Sequence, residues 1–485
     1  MTIAADSAVE ASPDVFKART TESRLSVWMT NSLCGILLFR GTQGWLDRAG
    51  AGQFTAILPD LLTFLLAILV LVAHRRGARL RSAAGIFVTV FVLVCALSAV
   101  FVVATNVTNI WLGVYGLRAM VLAPVTILLF QVAAIDMKGR RTVAAVLLFV
   151  VLLNCVVALG QAVFGYSVTE ISAIIATGST YLVGDQVRLV GLQASGQDFS
   201  VIAGAAAVWG LAAIFRGGIR NTGWLALATA AASSAAAVLA LQRSVLLGIA
   251  AAAVIILFGS LLGTNAVSTK LRNIKTALGI LGACALGAVA TSVLAPLQAA
   301  EALNRLLSFT QISSDNSWAI RQRTTIPVTL RLIDENPWGY GVGASGSVAT
   351  SFENASPLAN YPLGGIAADN GYLFVTLQVG VIGLALFCLM LVAWIVQGRL
   401  VRSFSTSRWN APAVMSFLAG SMISGSFWGL ASTMTVVLLF TSIDDPARRL
   451  KAAIKTTALE SGARELQGSV RRARGDGASA AVLLR

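Results

Sequence analysis

The sequence predicts an all-α polytopic membrane protein with about twelve transmembrane helices. Three observations predict it. Of 485 residues, 56% are hydrophobic and only 12% are charged, and the mean hydropathy is +0.79. Apolar runs of membrane-spanning length recur along the chain. Basic clusters fall between them on alternate connections, as the positive-inside rule requires. Length alone would have suggested about three soluble domains; a single membrane bundle fits the composition better.

The predicted spans are 25–45, 56–73, 83–104, 117–135, 142–164, 198–215, 223–241, 243–261, 276–296, 372–396, 410–425 and 427–442. On one side lie HRRGARLR (74–81), KGRR (138–141), RGGIR (216–220), TKLRNIK (269–275), GRLVRSFSTSR (398–408) and the C-terminal segment. Both termini are therefore expected in the cytoplasm. The formal charge of +15 is mostly this asymmetry. Scattered over separate turns, it does not point to nucleic acid. Residues 1–24 read as a cytoplasmic tail with no evident cleavable signal peptide, 25–442 as the bundle, and 443–485 as a basic cytoplasmic tail. Within that tail, 444–466 suits a charged helix, and the arginines after Gly468 suit anionic lipid headgroups. The long polar connection 297–371, between the ninth and tenth helices, is expected to form an ordered extracytoplasmic cap.

Positive residues on the outer side ask for a reason. Arg118 is expected to open the fourth helix, and Arg188 precedes the sixth. Arg243 sits in the turn LALQRSVLLG, and Arg305, Arg321, Arg323 and Arg331 lie in the long connection. A solvated or snorkelling arginine is the ordinary reading of any one of them. It is weakest for Arg243, which apolar runs press from both sides. No lysine falls on the predicted outer side. Guanidinium rather than ammonium suits two-pronged recognition of phosphate or pyrophosphate.

Other chemistries find no support. His74 is the only histidine and falls in a cytoplasmic turn. Cys34, Cys95, Cys155, Cys284 and Cys388 lie inside apolar runs and read as small core residues. No metal-ligand spacing and no GxxxxGK[ST] occur, so neither a metal nor a cofactor is expected. GYGVGASG (339–346) resembles a phosphate loop loosely, but tight turns with positive φ are the stronger reading.

Taken in order, the outer elements resemble the O-antigen ligase and Wzy-type polysaccharide polymerase superfamily. They are Arg188-x-x-Gly191, Gln242-Arg243-Ser244, Trp318-x-x-Arg321, Asn336-Pro337-x-Gly339-x-Gly341-x-Gly343 and Asp369-Asn370-x-Tyr372-Leu373 leading to Gly380-x-x-Gly383. The likeness is carried by residues 181–395 and elsewhere by topology, which is GT-C-like. It implies a glycan donor linked through pyrophosphate to undecaprenol, a glycan acceptor, and partnership with a flippase and a chain-length regulator. It also implies roles. Arg188, Arg243, Arg321 and Arg118 would hold pyrophosphate, while Asn370, Tyr372, Trp318 and Trp338 would meet glycan. Asp369, with Arg321 and Arg243, would serve the chemistry.

The family's ligases carry histidine where this chain has Asp369. Two readings of Asp369 stay open: a general base beside the arginines, or a cap on the tenth helix. The departure favours a polymerase over a ligase. A transporter of the same lipid is the rival of another class, though the helix cores hold few charges and show no internal repeat. Loop aromatics more often anchor at interfaces than stack on sugars. Asp60, after Pro59, is expected to start the second helix, with pairing to an outer arginine as the lesser alternative.

Overall fold

The computed structural model describes residues 13–74, 83–105, 110–133, 135–166, 182–183, 186–217, 223–240, 242–262, 293, 296–307, 321–346, 357–358, 370–400, 410–424 and 431–441. The predicted ninth helix (276–296, except at its end), Trp318, Asp369 and the 444–466 segment lie outside them.

Among the described residues the regular secondary structure is helical apart from one two-residue ladder. The helices are α1 (Pro13–Gly41), α2 (Gln43–Leu46), α3 (Gly52–His74), α4 (Ala83–Thr105), α5 (Ile110–Val132), α6 (Met137–Phe164), α7 (Gly196–Gly217), α8 (Trp224–Leu239) and α9 (Arg243–Leu262). They continue with α10 (Pro296–Leu307), α11 (Ile326–Glu335), α12 (Gly371–Leu400), α13 (Asn410–Ser421) and α14 (Ala431–Leu439). Strand β1 (Leu182–Val183) pairs antiparallel with β2 (Gln186–Val187) just before Arg188. By length and composition, Ile110–Val132, Met137–Phe164, Gly196–Ile214 and Gly371–Trp394 are able to cross a membrane; shorter apolar stretches include Ile57–Ala73 and Gly85–Phe101.

Helix α7 is the axis. Its most apolar window is 83% buried, against 44–56% for the other three long helices, so protein rather than lipid surrounds it. It packs on α8, α9, α13, α14 and α6. Small side chains permit this, because with lipid outside, close backbone approach supplies much of the packing energy. In the adjoining α9–α13 contact, a Cβ built on Gly420 would sit 3.2 Å from Gly248 Cα. Trp209 of α7 meets Phe440 with ring centroids 5.7 Å apart.

Several boundaries differ from expectation for local reasons. KGRR was read as a loop but forms the first turn of α6. Asp136 caps it, accepting from Gly139 N at 2.6 Å, and Ser26 Oγ accepts from Asp136 N at 2.9 Å. Helix α5 starts at Ile110, so Arg118 lies eight residues inside it rather than opening it. Asp60 likewise lies inside α3 and does not start it.

The predicted tenth span is broken. Gly380, with φ 73° and ψ −177°, interrupts α12. A break frees carbonyls and N–H groups that need partners at membrane depth. The glycine-rich segment 336–346 supplies them: Tyr340 N donates to Leu377 O at 2.7 Å, Gly341 N to Gln378 O at 3.0 Å, and Val381 N to Pro337 O at 2.9 Å. Gly343, at φ 90°, lies against Leu112 and Gly116 of α5. Part of the long connection is thus inserted among α4, α5 and α12 instead of standing apart as a cap.

Candidate functional site

The richest polar region forms where the C-terminal ends of α1 and α6 meet the N-terminal ends of α3, α5, α7 and α9. It is built around the irregular backbone 189–193, between β2 and α7, which turns at Gly191 (φ 55°) with Gln193 N donating to Val190 O at 2.9 Å. Each peptide group of such a buried segment needs a partner. Two side chains of α6 serve this need. Gln161 Oε1 accepts from Gly191 N at 2.9 Å, and Asn154 Oδ1 accepts from Leu192 N at 3.1 Å. From α2, Trp45 N donates to Leu192 O at 3.0 Å, and just after α2, Arg48 Nη1 donates to Gln193 O at 2.9 Å. Gln193 answers with Nε2 to Gly41 O at 2.6 Å, and Asn154 Nδ2 reaches the same carbonyl at 2.7 Å. Tyr166 closes the upstream end, its hydroxyl donating to Arg188 O at 2.8 Å and accepting from Val190 N at 3.0 Å.

This clamp fixes where Arg188 begins. The stem of Arg188 runs over Gly196, the first residue of α7, where a Cβ would sit 2.8 Å from Arg188 Cβ. Its Nη1 reaches Gln242 Oε1 at 3.4 Å, and Gln242 Nε2 donates to Ser244 Oγ at 3.1 Å. Arg188 and Arg243 are both half-buried. The Arg188-x-x-Gly191 element and the Gln242-Arg243-Ser244 turn therefore meet, although they are far apart in sequence.

Close by, Asp198 in the first turn of α7 accepts from Ser195 Oγ at 2.7 Å and from Thr433 of α14. Ser195 Oγ accepts from Asp198 N at 3.1 Å in return, a reciprocal cap that fixes the start of α7.

A second charged group lies on α1, α3 and α5. Asp60 accepts from Arg40 through one carboxylate oxygen and from Arg118 through the other. The Arg118 guanidinium also lies 6.0 Å from the Tyr115 ring centroid.

The remaining expected site residues are placed as follows. Arg321 opens the wide turn Arg321–Thr325, which packs on α11; α11 in turn packs on α12. Arg323 is exposed, and exposed Arg331 pairs with Glu335 at 2.8 Å one helical turn away. Trp338 is 74% exposed. Asn370 is the N-cap of α12. Its Oδ1 accepts from Tyr372 N at 2.9 Å and Leu373 N at 3.1 Å, and its Nδ2 donates to Ile423 O at 2.8 Å. The capping duty considered for Asp369 is thus carried by Asn370. Tyr372 donates its hydroxyl to Ala419 O at 2.9 Å and so ties α12 to α13. GYGVGASG is not a phosphate cradle: Gly343 N donates to Gln378 Oε1 at 3.0 Å, Val342 N to Ser98 Oγ at 3.1 Å and Ala344 N to Gly341 O at 3.1 Å, besides the two donors spent on α12.

Sequence reasoning missed Arg40, Arg48, Asn154, Gln161, Gln193 and Asp198. Four of them carried a signal: Arg40, Asn154 and Gln161 interrupt apolar runs, and Asp198 stands at the head of one.

Fold and site together define a membrane protein with an arginine-bearing polar site at one end of its helices. Residues 205–388 match the family model Wzy_C, described as O-antigen ligase. That match supports the O-antigen ligase/Wzy-type superfamily. The match runs from α7 through Arg243 and the glycine-rich segment into α12; Arg118 and Arg188 precede it. No curated protein matches the chain.

Proposed function

We propose that this protein is a polymerase that joins undecaprenyl-pyrophosphate-linked oligosaccharide units into a surface polysaccharide or exopolysaccharide at the outer leaflet of a bacterial cytoplasmic membrane. The observation that carries this reading is the meeting of Arg188 with the Gln242–Ser244 turn, which sets two guanidinium-bearing segments side by side at the head of α7 and α9. In the proposed reaction the bond between the donor's anomeric carbon and its phosphate oxygen breaks. The acceptor hydroxyl oxygen bonds to that carbon, and its proton passes to Asp369. The lipid diphosphate leaves with the electron pair. Negative charge grows on the leaving oxygen, and in this proposal the guanidiniums of Arg188 and Arg243, joined by Arg321 from the segment before α11, lower the barrier there. The polymerase reading rests on Asp369 standing where the family's ligases have histidine.

A ligase that transfers a finished glycan to an acceptor is the second reading, favoured by the description of the matching family. Purified protein incubated with a synthetic undecaprenyl-pyrophosphate oligosaccharide, followed by mass analysis, tests the proposal. Products lengthened by whole repeats support the polymerase. A strain lacking the protein separates the two readings: single lipid-linked repeats accumulate if a polymerase is lost, long lipid-linked chains if a ligase is lost.

A further inference from the structure

Helix α10 opens a regular apolar face although it is too short to cross a membrane. Its 12 residues extend about 18 Å, against about 30 Å for a hydrocarbon core. Leu297, Leu303 and Leu307 are 66%, 56% and 55% exposed, and Pro296 and Ala300 are exposed beside them. Positions 296, 300, 303 and 307 recur every three or four residues, so these side chains share one arc of the helix. Exposed Asn304 lies at the edge of that arc. The helix positions of Gln298, Glu301 and Arg305 fall together on a different arc.

The neighbours of α10 say what meets this face. It packs on α8 and on β2. Strand β2 leads directly into Arg188, whose Nη1 reaches Gln242 just beyond the last residue of α8. Helix α10 therefore sits at the C-terminal end of α8. Along α8, Trp224, Ala231 and Val238 are exposed at seven-residue spacing, and Val238 brings that stripe to the end where α10 lies. A stripe of this kind on an apolar helix of a membrane bundle faces lipid. The open face of α10 thus adjoins a lipid-facing surface at one end of the bundle. An amphipathic helix placed there lies along the membrane surface, its apolar arc sunk about 5–10 Å into the boundary of headgroups and acyl chains. We propose that α10 is an interfacial helix at the Arg188 end of the bundle, with Leu297, Ala300 and Leu303 in bilayer lipid. The lipid is recognised by apolar area and not by a particular headgroup. Through its contact with β2, α10 sets the level of the ladder before Arg188 against the membrane surface. This inference goes beyond the proposed function and does not depend on which glycan is transferred.

The test is a spin-label depth measurement on the full chain in liposomes of phosphatidylethanolamine and phosphatidylglycerol. A nitroxide is attached through a ketone-bearing amino acid that replaces Leu297, Ala300, Glu301, Leu303 or Arg305, one at a time, which leaves the native cysteines unlabelled. Collisions with dissolved oxygen, which concentrates in lipid, are compared with collisions with a water-soluble nickel chelate. Oxygen is expected to dominate at Leu297, Ala300 and Leu303, and the chelate at Glu301 and Arg305. Domination by the chelate at every position would place the face in water and overturn the proposal. Labels at Leu297, Ala300 and Leu303 that are immobile and shielded from both reagents would overturn it too, because protein would then cover the face. In a Leu297→Glu, Leu303→Glu double variant, the label at Ala300 is expected to shift from oxygen toward the chelate, since two charges oppose immersion. An unchanged reading there would show that the exposed leucines do not hold α10 in lipid. No glycan transfer is read, so failure of the polymerase reading and failure of this inference are told apart.

Discussion

Arg188 donates through Nη1 to Oε1 of Gln242 across 3.4 Å, joining segments 54 residues apart. The bond is long, so it contributes more to placing the guanidinium than to stability. Arg188→Lys keeps the charge and loses the planar fork. Initial transfer rates are expected to fall between about tenfold and a hundredfold, since lysine does not reproduce two-pronged phosphate contacts. Gln242→Ala is expected to fall less, and equal rates for wild type and Arg188→Lys would contradict the assignment.

Asn370 and Asp369 are separable. Asn370→Ala removes the acceptor for Tyr372 N and Leu373 N and is expected to cost about 1 kcal/mol of stability. Asn370→Asp keeps an acceptor at the cap but loses the Nδ2 donation to Ile423 O and sets an oxygen against that carbonyl, so it is expected to lower stability as well. Asp369→Asn is expected to leave thermal unfolding in detergent unchanged and to lower kcat by about a hundredfold or more, within the range of a lost general base. A lowered melting temperature with normal kcat would assign Asp369 to structure.

Asn154 is buried and makes contacts with Gly41, Val150, Leu192 and Gln193. Asn154→Ala leaves the buried Leu192 N without its acceptor, at about 1–3 kcal/mol, while Gly41 O keeps the donation from Gln193 Nε2. A lower melting temperature and loss of transfer are expected together, because the same groups hold the segment that carries Arg188. Full transfer activity with a lowered melting temperature would show that this segment does not position the site.

Gly380→Ala is expected to be severe. A Cβ there would collide with the backbone of Pro337 and Trp338, and the residue's φ of 73° is strained for any side chain. Limited proteolysis is expected to cut within 336–346 in the variant and not in the parent. An unchanged digestion pattern would show that the break in α12 does not hold that segment.

The bundle was largely legible in the sequence because lipid-facing and buried surfaces both require apolar runs, and runs of that kind are visible without knowing any contact. Arg188 and Arg243 stood out because charge at the outer ends of such runs needs an explanation. The break at Gly380 was hidden, since apolar residues continue on both sides and one glycine is compatible with an intact helix. The fate of Asp60 was legible only in part: pairing with an outer arginine is the lesser reading of the sequence and Arg118 bears it out, while the choice of Arg40 and Arg118 together depends on how α1, α3 and α5 pack, and no local pattern encodes that. The glycine-rich motif was legible as tight turns: Gly339, Gly341, Gly343 and Gly346 all have positive φ, and its N–H groups are committed to the protein's own backbone and side chains.

The most direct measurement is the product distribution from purified wild type, Arg188→Ala and Arg243→Ala, each reconstituted with the same undecaprenyl-pyrophosphate oligosaccharide. Chains extended by whole repeats from wild type, with extension lowered about a hundredfold or more in both variants, are the predicted result. Undiminished extension by either arginine variant would contradict the claim that these two guanidiniums receive the departing diphosphate.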